Sequence, residues 1–267
     1  MSFSFRPNNN EAKSFTTKLT EILDGSYKSH KDREPRRDYL GASMMGGECL
    51  RSVAYQYHGV PKDSDRGFTG KTYRIFDMGH DGESRMAEYL AIAGFDLRVA
   101  DPQGVQFGYV TAGGRMRGHI DGVILSGPDV GLPFPALWEN KALGATSFNK
   151  TAKDGISLAK PLYYVQVQIY MAYMQLEHCL FTCINRDTGL IYAEVIPLSI
   201  ARAQEFSDRG VRVVKSQSPE EFNRIARDCT DFRCKLCDHF RTCWGLGEVE
   251  AAPVASNDDG APNWLRG

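Results

Sequence analysis

Helices and strands interleave along this chain around a mostly antiparallel meander, which predicts an α/β or α+β fold. Three observations lead there. Short runs with period-2 hydrophobicity recur through the middle of the chain, and longer stretches with helical spacing alternate with them. The composition, 42% hydrophobic and 24% charged, is that of an ordinary soluble globular chain. Its 267 residues are long for one compact domain and short for two, so one decorated core domain is expected.

The elements follow in order. Residues 1–12 are polar and Asn-rich and predict a loose arm, with the single domain running over 13–248. Residues 26–39 mix five basic side chains with three acids and predict a solvated loop. A helix is expected over 79–93, ended by Gly94 in a left-handed cap. Val105, Phe107 and Tyr109 alternate in a strand over 104–110. Ala112-Gly113-Gly114 is a turn, and Met116–Leu125 is the returning strand. A Gly/Pro-rich loop, Gly127–Pro135, precedes a strand over Ala136–Ala142. Pro161 suits the first turn of a helix over 161–177. Cys179–Asn185 and Leu190–Pro197 predict a hairpin around Asp187-Thr188-Gly189. One helix starts near Ser199, and another at Ser218, where Pro219 and Glu221 complete a capping box. Residues 249–267 lack periodicity and predict a disordered tail.

Charge and length exclude several classes. With 32 basic and 33 acidic residues the net charge is −1, unlike a general nucleic-acid binder, so any DNA contact must use a local groove. No apolar run approaches the ~18 residues of a membrane span, and no membrane partner is expected. Met1–Asn10 carry no apolar core or small-residue cleavage site, so a cytoplasmic location with reduced thiols is expected.

Asp121 sits inside the apolar run Gly118–Ile124, where strand interiors disfavour aspartate. A buried carboxylate needs a partner or a cation. In Leu137-Trp138-Glu139-Asn140-Lys141, strand periodicity puts Glu139 and Lys141 on one face and Trp138 and Asn140 on the other. Glu83 lies on the inward stripe of the 79–93 helix, with His80 one turn before it. Hard carboxylate oxygens of this kind hold Mg²⁺ or Mn²⁺. Such an ion generates a nucleophilic water, and a neighbouring lysine stabilises the transition state. Gln166 and Tyr170, at i and i+4, point the same way from the next helix; aromatics at this spacing are usually core, and the functional alternative is that the pair lines the site. Lys141, Lys150, Lys153 and Lys160 read either as a solvated loop or as a track for a phosphate backbone. Nearby tyrosines suit the bases of a single strand.

Seven cysteines include Cys234, Cys237 and Cys243 in a Cys-x2-Cys-x5-Cys cluster, which reads as metal chemistry in a reducing compartment. The fourth ligand is open between Cys229 or His239 nearby and Cys49, far upstream. Cys179 and Cys183 fall on one strand face and are expected in the core.

The order of these groups resembles the PD-(D/E)XK nucleases, specifically their RecB-like and lambda-exonuclease-like branch. The resemblance spans roughly residues 40–245. Gly79 to Glu83 resembles the helical first motif, Asp121 the second, Glu139 and Lys141 the Glu-x-Lys, and Gln166 and Tyr170 the Gln-x-x-x-Tyr. Two departures leave choices open. His80 follows Gly79 directly and competes with Glu83 as ligand, and Gln168 competes with Gln166. The resemblance implies a restriction-endonuclease-like core, a central mixed β-sheet flanked by helices. It implies a metal-dependent DNA exonuclease serving recombination or repair, encoded by a phage or other mobile element. The substrate would be DNA that is single-stranded or has a free end, with a helicase or recombination partner. The iron–sulfur members of that family imply Cys49 as the fourth ligand of a [4Fe–4S] cluster, with Zn²⁺ the alternative, stapling the cysteine cluster to the N-terminal helical region. The rival functions are a non-catalytic DNA-binding or adaptor protein that retains the fold, and a zinc-ribbon interaction protein.

Overall fold

A computed structural model describes residues 9–247. Its elements run α1 (Asn9–Lys31), β1 (Leu40–Gly41), α2 (Ala42–Met45), α3 (Leu50–His58), α4 (Gly70–Ile92), β2 (Leu97–Arg98), β3 (Gly108–Thr111), β4 (Met116–His119), β5 (Gly122–Ile124) and β6 (Ala136–Leu143). Then follow α5 (Ala145–Ala159), α6 (Pro161–Met174), β7 (His178–Asn185), β8 (Ile191–Pro197), α7 (Ile200–Lys215), α8 (Phe232–Lys235) and α9 (Phe240–Trp244). No helix among the described residues is long and apolar enough to cross a membrane.

The strands form two sheets. A five-stranded sheet has the order β2-β5-β6-β7-β8, and a three-stranded sheet the order β1-β4-β3. In the larger sheet β6 and β7 are parallel and every other pair is antiparallel. A parallel pair needs a long crossover, which α5 and α6 supply. Both faces of the sheet are covered. Leu137, Phe181, Cys179 and Cys183 pack with α6 residues Val167, Ile169 and Met171, so the two cysteines are core residues. Trp138, Ile124 and Leu180 pack with Met86 of α4 on the other side. Strand β6 is therefore buried almost throughout, and its polar centre must find partners inside the protein.

The mixed sheet flanked by helices agrees with the expected class, and the β7–β8 hairpin, the Pro161 start and the α7 start after Ser199 fall where expected. Several elements differ. The meander is interrupted by the parallel β6–β7 pair, because register between distant strands leaves no local trace. Residues 26–31 are helical: α1 docks on α4 through Tyr27 to Asp77 and Asp24 to Arg74, and the Lys28–Asp32 pair supports its last turn. The helix expected from 79 begins at Gly70, where the Thr69 side chain accepts from Thr72 N–H. The strand at 104–110 is reduced to Gly108–Thr111, with one bridge from Gln106 to Ala100. The long polar run after β6 folds as α5, kinked where Gly155 adopts φ 71°. The helix at 161–177 stops at Met174, where Gln175 turns left-handed. Ser218 does form its capping box, but on a single 3-10 turn, Pro219–Glu221. The expected arm overlaps α1 from Asn9; residues 1–8, and the tail at 249–267, lie outside the described residues.

The returning strand at 116–125 is two strands in two sheets. β4 belongs to the smaller sheet and β5 to the larger, and the chain bends between them at Ile120–Asp121. Asp121 thus sits at a strand break, not inside a strand.

Candidate active site

The bend at Asp121 is held by its neighbour across the sheet: the Asn140 backbone N–H donates to Asp121 Oδ2 at 2.8 Å. One residue to each side, β6 presents the rest of the site. Lys141 Nζ donates to Glu139 Oε1, and Gln166 Nε2 donates to the same oxygen at 2.9 Å. Gln166 Nε2 also lies 3.2 Å from Tyr170 Oη. The opposite face of β6 carries a separate buried chain, Trp138 Nε1 to Thr182 Oγ1 at 3.0 Å and Thr182 Oγ1 to Asn140 Oδ1 at 2.9 Å. The alternation expected from sequence is the one observed.

Glu83 approaches from α4 across a cleft with a volume of about 430 Å³, whose walls include His80, Glu83, Lys141, Ser147, Lys160 and Tyr163. The Glu83 side chain is 32% exposed, whereas His80 is 80% exposed with Nδ1 3.9 Å from Glu83 Oε2. Glu83 is thus the inward group of the two.

The charges are strongly interdependent. Burial pushes the Glu139 carboxyl up to about 8, and the Asp121 carboxylate adds to this while Lys141 opposes it. Burial also raises Asp121, against the pull of Lys141 and the Asn140 N–H. Glu83 is raised by burial and then by Asp121. Burial works against the Lys141 charge, but Glu139 and Asp121 outweigh it and hold the ammonium protonated. Three acids therefore crowd one lysine.

Inside this crowd Glu139 Oε2 is buried without a hydrogen-bond partner. Such an oxygen is costly unless a cation or donor meets it. The donor set of carboxylate oxygens suits a hard divalent ion. Among the described residues, no three His, Cys, Asp or Glu side chains draw together tightly enough to form a metal-binding group by themselves. The acids are neighbours rather than a closed ligand set.

The two glutamines separate. Gln168 is fully buried, donates to Pro197 O at 3.0 Å and accepts from Ser199 N–H at 2.6 Å, tying α6 to the junction of β8 and α7. Gln166 alone of the two meets Glu139. The lysines separate as well: Lys141 and Lys160 line the cleft, while Lys150 and Lys153 lie exposed on α5. Phe76 and Arg186 also line the cleft and were not expected. Arg186 opens the Asp187-Thr188-Gly189 turn; that turn is visible in sequence, but its position against the end of β6 follows from the parallel crossover.

A second cavity, 380 Å³ in volume, lies between the start of α3 and the α8–α9 region. Cys49, Cys234, Cys237 and Cys243 all line it, and Cys229 and His239 do not. Cys49 is the N-cap of α3, and Ser52 Oγ lies 3.4 Å from Cys237 Sγ. Burial raises the Cys234 thiol, and Cys49 and Cys243 contribute to the shift. His239 instead stacks on Tyr55 and places Nε2 3.1 Å from Val60 O.

Fold and site together define a mixed α/β protein with an acid–lysine centre at a strand break and a separate thiol-lined cavity. No protein-family model and no curated protein sequence matches the chain. Among solved structures, the chain is similar to an alkaline exonuclease, LHK-Exo, from Laribacter hongkongensis, at 16% identity and a TM-score of 0.47 over 67% of this chain and 87% of that one. LHK-Exo in complex with dAMP matches at 18% identity and 0.45, over 67% and 87%. A phage related exonuclease from Haemophilus somnus 129PT matches at 13% and 0.42, over 66% and 92%.

Proposed function

We propose that this chain is a PD-(D/E)XK-type, metal-dependent deoxyribonuclease that hydrolyses DNA from an end, in recombination or repair. One observation carries the proposal. Glu83, Asp121, Glu139 and Lys141 come from a helix, a strand break and a strand, yet they share one charge cluster in which Glu139 Oε2 lacks a partner. Glu83, Asp121 and Glu139 would hold Mg²⁺ or Mn²⁺, which supplies a water of lowered pKa and offsets charge on the phosphodiester. Lys141, kept protonated by its carboxylates, donates to phosphoryl oxygen as negative charge builds there. Gln166 fixes the Glu139 carboxylate and holds Tyr170 beside it. Water gives up a proton to solvent as its oxygen bonds to phosphorus, and the bond to the leaving sugar oxygen breaks, that oxygen taking a proton from solvent.

The four cysteines around the second cavity would hold a [4Fe–4S] cluster, for which four thiolates are the ordinary ligand set. Support comes from Cys49 lying with the C-terminal three, where Cys229 and His239 do not. Purified anaerobically, the protein is expected to be brown with broad visible absorbance. A colourless protein with stoichiometric zinc would instead favour Zn²⁺.

Digestion of end-labelled single- and double-stranded DNA with Mg²⁺ or Mn²⁺ tests the activity. Wild-type protein is expected to shorten the DNA, and Asp121→Ala and Lys141→Ala to be slower by at least about a hundredfold. Retention of the wild-type rate by either variant would remove the site assignment, and no digestion by the wild-type protein would favour a non-catalytic DNA-binding protein.

A further inference from the structure

The mouth of the 430 Å³ cleft carries groups that hydrolysis does not use. Phe76, on the α4 wall, keeps 44% of its surface exposed although it is a large apolar ring. Phe68 braces it edge-on, with ring centroids 5.2 Å apart. Next to it stands Arg186, whose Nη1 reaches the Ile75 carbonyl at 3.5 Å, one residue from Phe76. The hairpin that bears Arg186 is pinned to the end of β6. Arg186 N–H donates to Leu143 O at 2.9 Å, and Asp187 Oδ2 accepts from Ala145 N–H at 2.7 Å. On the α5–α6 side Lys160 and Tyr163 also line the cleft, and the half-buried Tyr163 ring has Lys141 Nζ 5.3 Å from its centroid. Neither Arg186 nor Lys160 takes part in any ion pair among the described residues.

A cation without a carboxylate partner, fixed beside an exposed aromatic face, fits a nucleotide whose base is free to stack. Guanidinium matches phosphate in a planar, two-bond geometry. Aromatic rings accept any unpaired base, because every base has a π-face. A base held in a duplex has both faces covered and cannot use the ring.

We propose that the cleft mouth is a clamp for one unpaired nucleotide, its base stacked on Phe76 and its phosphate held by Arg186. The inference rests on DNA being the ligand of the acid–lysine cleft, and it adds the residues that select single-stranded over duplex DNA.

Binding tests it without cleavage. In an Asp121→Asn background, with no added Mg²⁺ or Mn²⁺, a short single strand containing 2-aminopurine is titrated with protein, and the same sequence is titrated as a blunt duplex. Stacking on Phe76 is expected to quench the 2-aminopurine fluorescence. Phe76→Ala should abolish part of the quenching and weaken single-strand binding about tenfold, in the range of one lost base stack, while duplex binding stays within about twofold. Phe76→Trp should restore the single-strand affinity. Arg186→Ala should lower the slope of log affinity against log salt by about 0.7, the value of one single-strand phosphate contact. Unchanged single-strand affinity in Phe76→Ala, or equal losses for both DNA forms, would overturn the clamp. An unchanged salt slope in Arg186→Ala would overturn its phosphate half. Digestion by the wild-type protein is measured in parallel. Phe76-dependent quenching without digestion would overturn the hydrolytic assignment and uphold the clamp; digestion without Phe76 dependence would overturn the clamp alone.

Discussion

Two glutamines two positions apart on α6 serve different neighbours, and substitutions should separate them. Gln166 meets Glu139 and Tyr170, whereas Gln168 bridges Pro197 and Ser199. Gln166→Leu is expected to slow DNA digestion about 10–100-fold, as loss of a partner that orients a ligating carboxylate does, with a near-wild-type melting temperature. Gln168→Leu is expected to cost about 1–3 kcal/mol in urea unfolding, because it strands a buried N–H and C=O. Digestion per folded molecule should stay unchanged in that variant. Asp63 gives a pH effect. It is 7% exposed and accepts from Arg241 N–H at 2.6 Å and from Thr242 Oγ1 at 2.8 Å. Burial opposes its charge, but these donors win and hold its carboxyl below the ordinary 3.8. A carboxyl depressed in the folded state contributes stability that is complete above 3.8 and lost as pH falls through its folded value. Urea midpoints measured from pH 6 down to about 3 should therefore fall less steeply for Asp63→Asn than for the wild type.

At the scale of elements, what could be read in advance followed from local chemistry. Glu139 and Lys141 share a face because strands alternate, and Pro161 and Ser199 mark helix starts because each suits its terminal position. The split of 116–125 could not be read. Ile120 is fully buried, so the apolar alternation runs through the bend without a break. What places Asp121 is a hydrogen bond from Asn140, nineteen positions on, and no local pattern encodes it. Helix α5 was obscured by its exposed lysines and by Gly155, whose positive φ kinks it. Arg186 and Phe76 were missed because their meeting depends on how the β7–β8 turn sits against α4. Strand β4 also sets Tyr170. A Cβ on Gly118 would stand 2.6 Å from ring carbons of both Tyr109 and Tyr170. Gly118→Ala should therefore displace Tyr170, costing about 1–3 kcal/mol by overpacking. Slower digestion alongside a lowered unfolding midpoint would register that displacement.

Across the whole molecule, the cysteines bracket the acids. Cys49 lies before α4 and the other three lie beyond α7, so a cluster held by all four would cross-link distant parts of the chain. Cys49→Ser is expected to lose visible absorbance and to lower the melting temperature by about 5 °C or more, the equivalent of about 2 kcal/mol in a chain of this size. A full-strength spectrum from Cys49→Ser would place the fourth ligand elsewhere. The two cavities also differ in when they can be built. Every wall of the acid–lysine cleft is present once residue 186 has been synthesised, whereas the thiol-lined cavity needs Cys237, Cys243 and Trp244. A nascent chain thus completes the walls of the acid–lysine cleft before those of the thiol-lined cavity, so that loading a cluster there would be a late step of maturation.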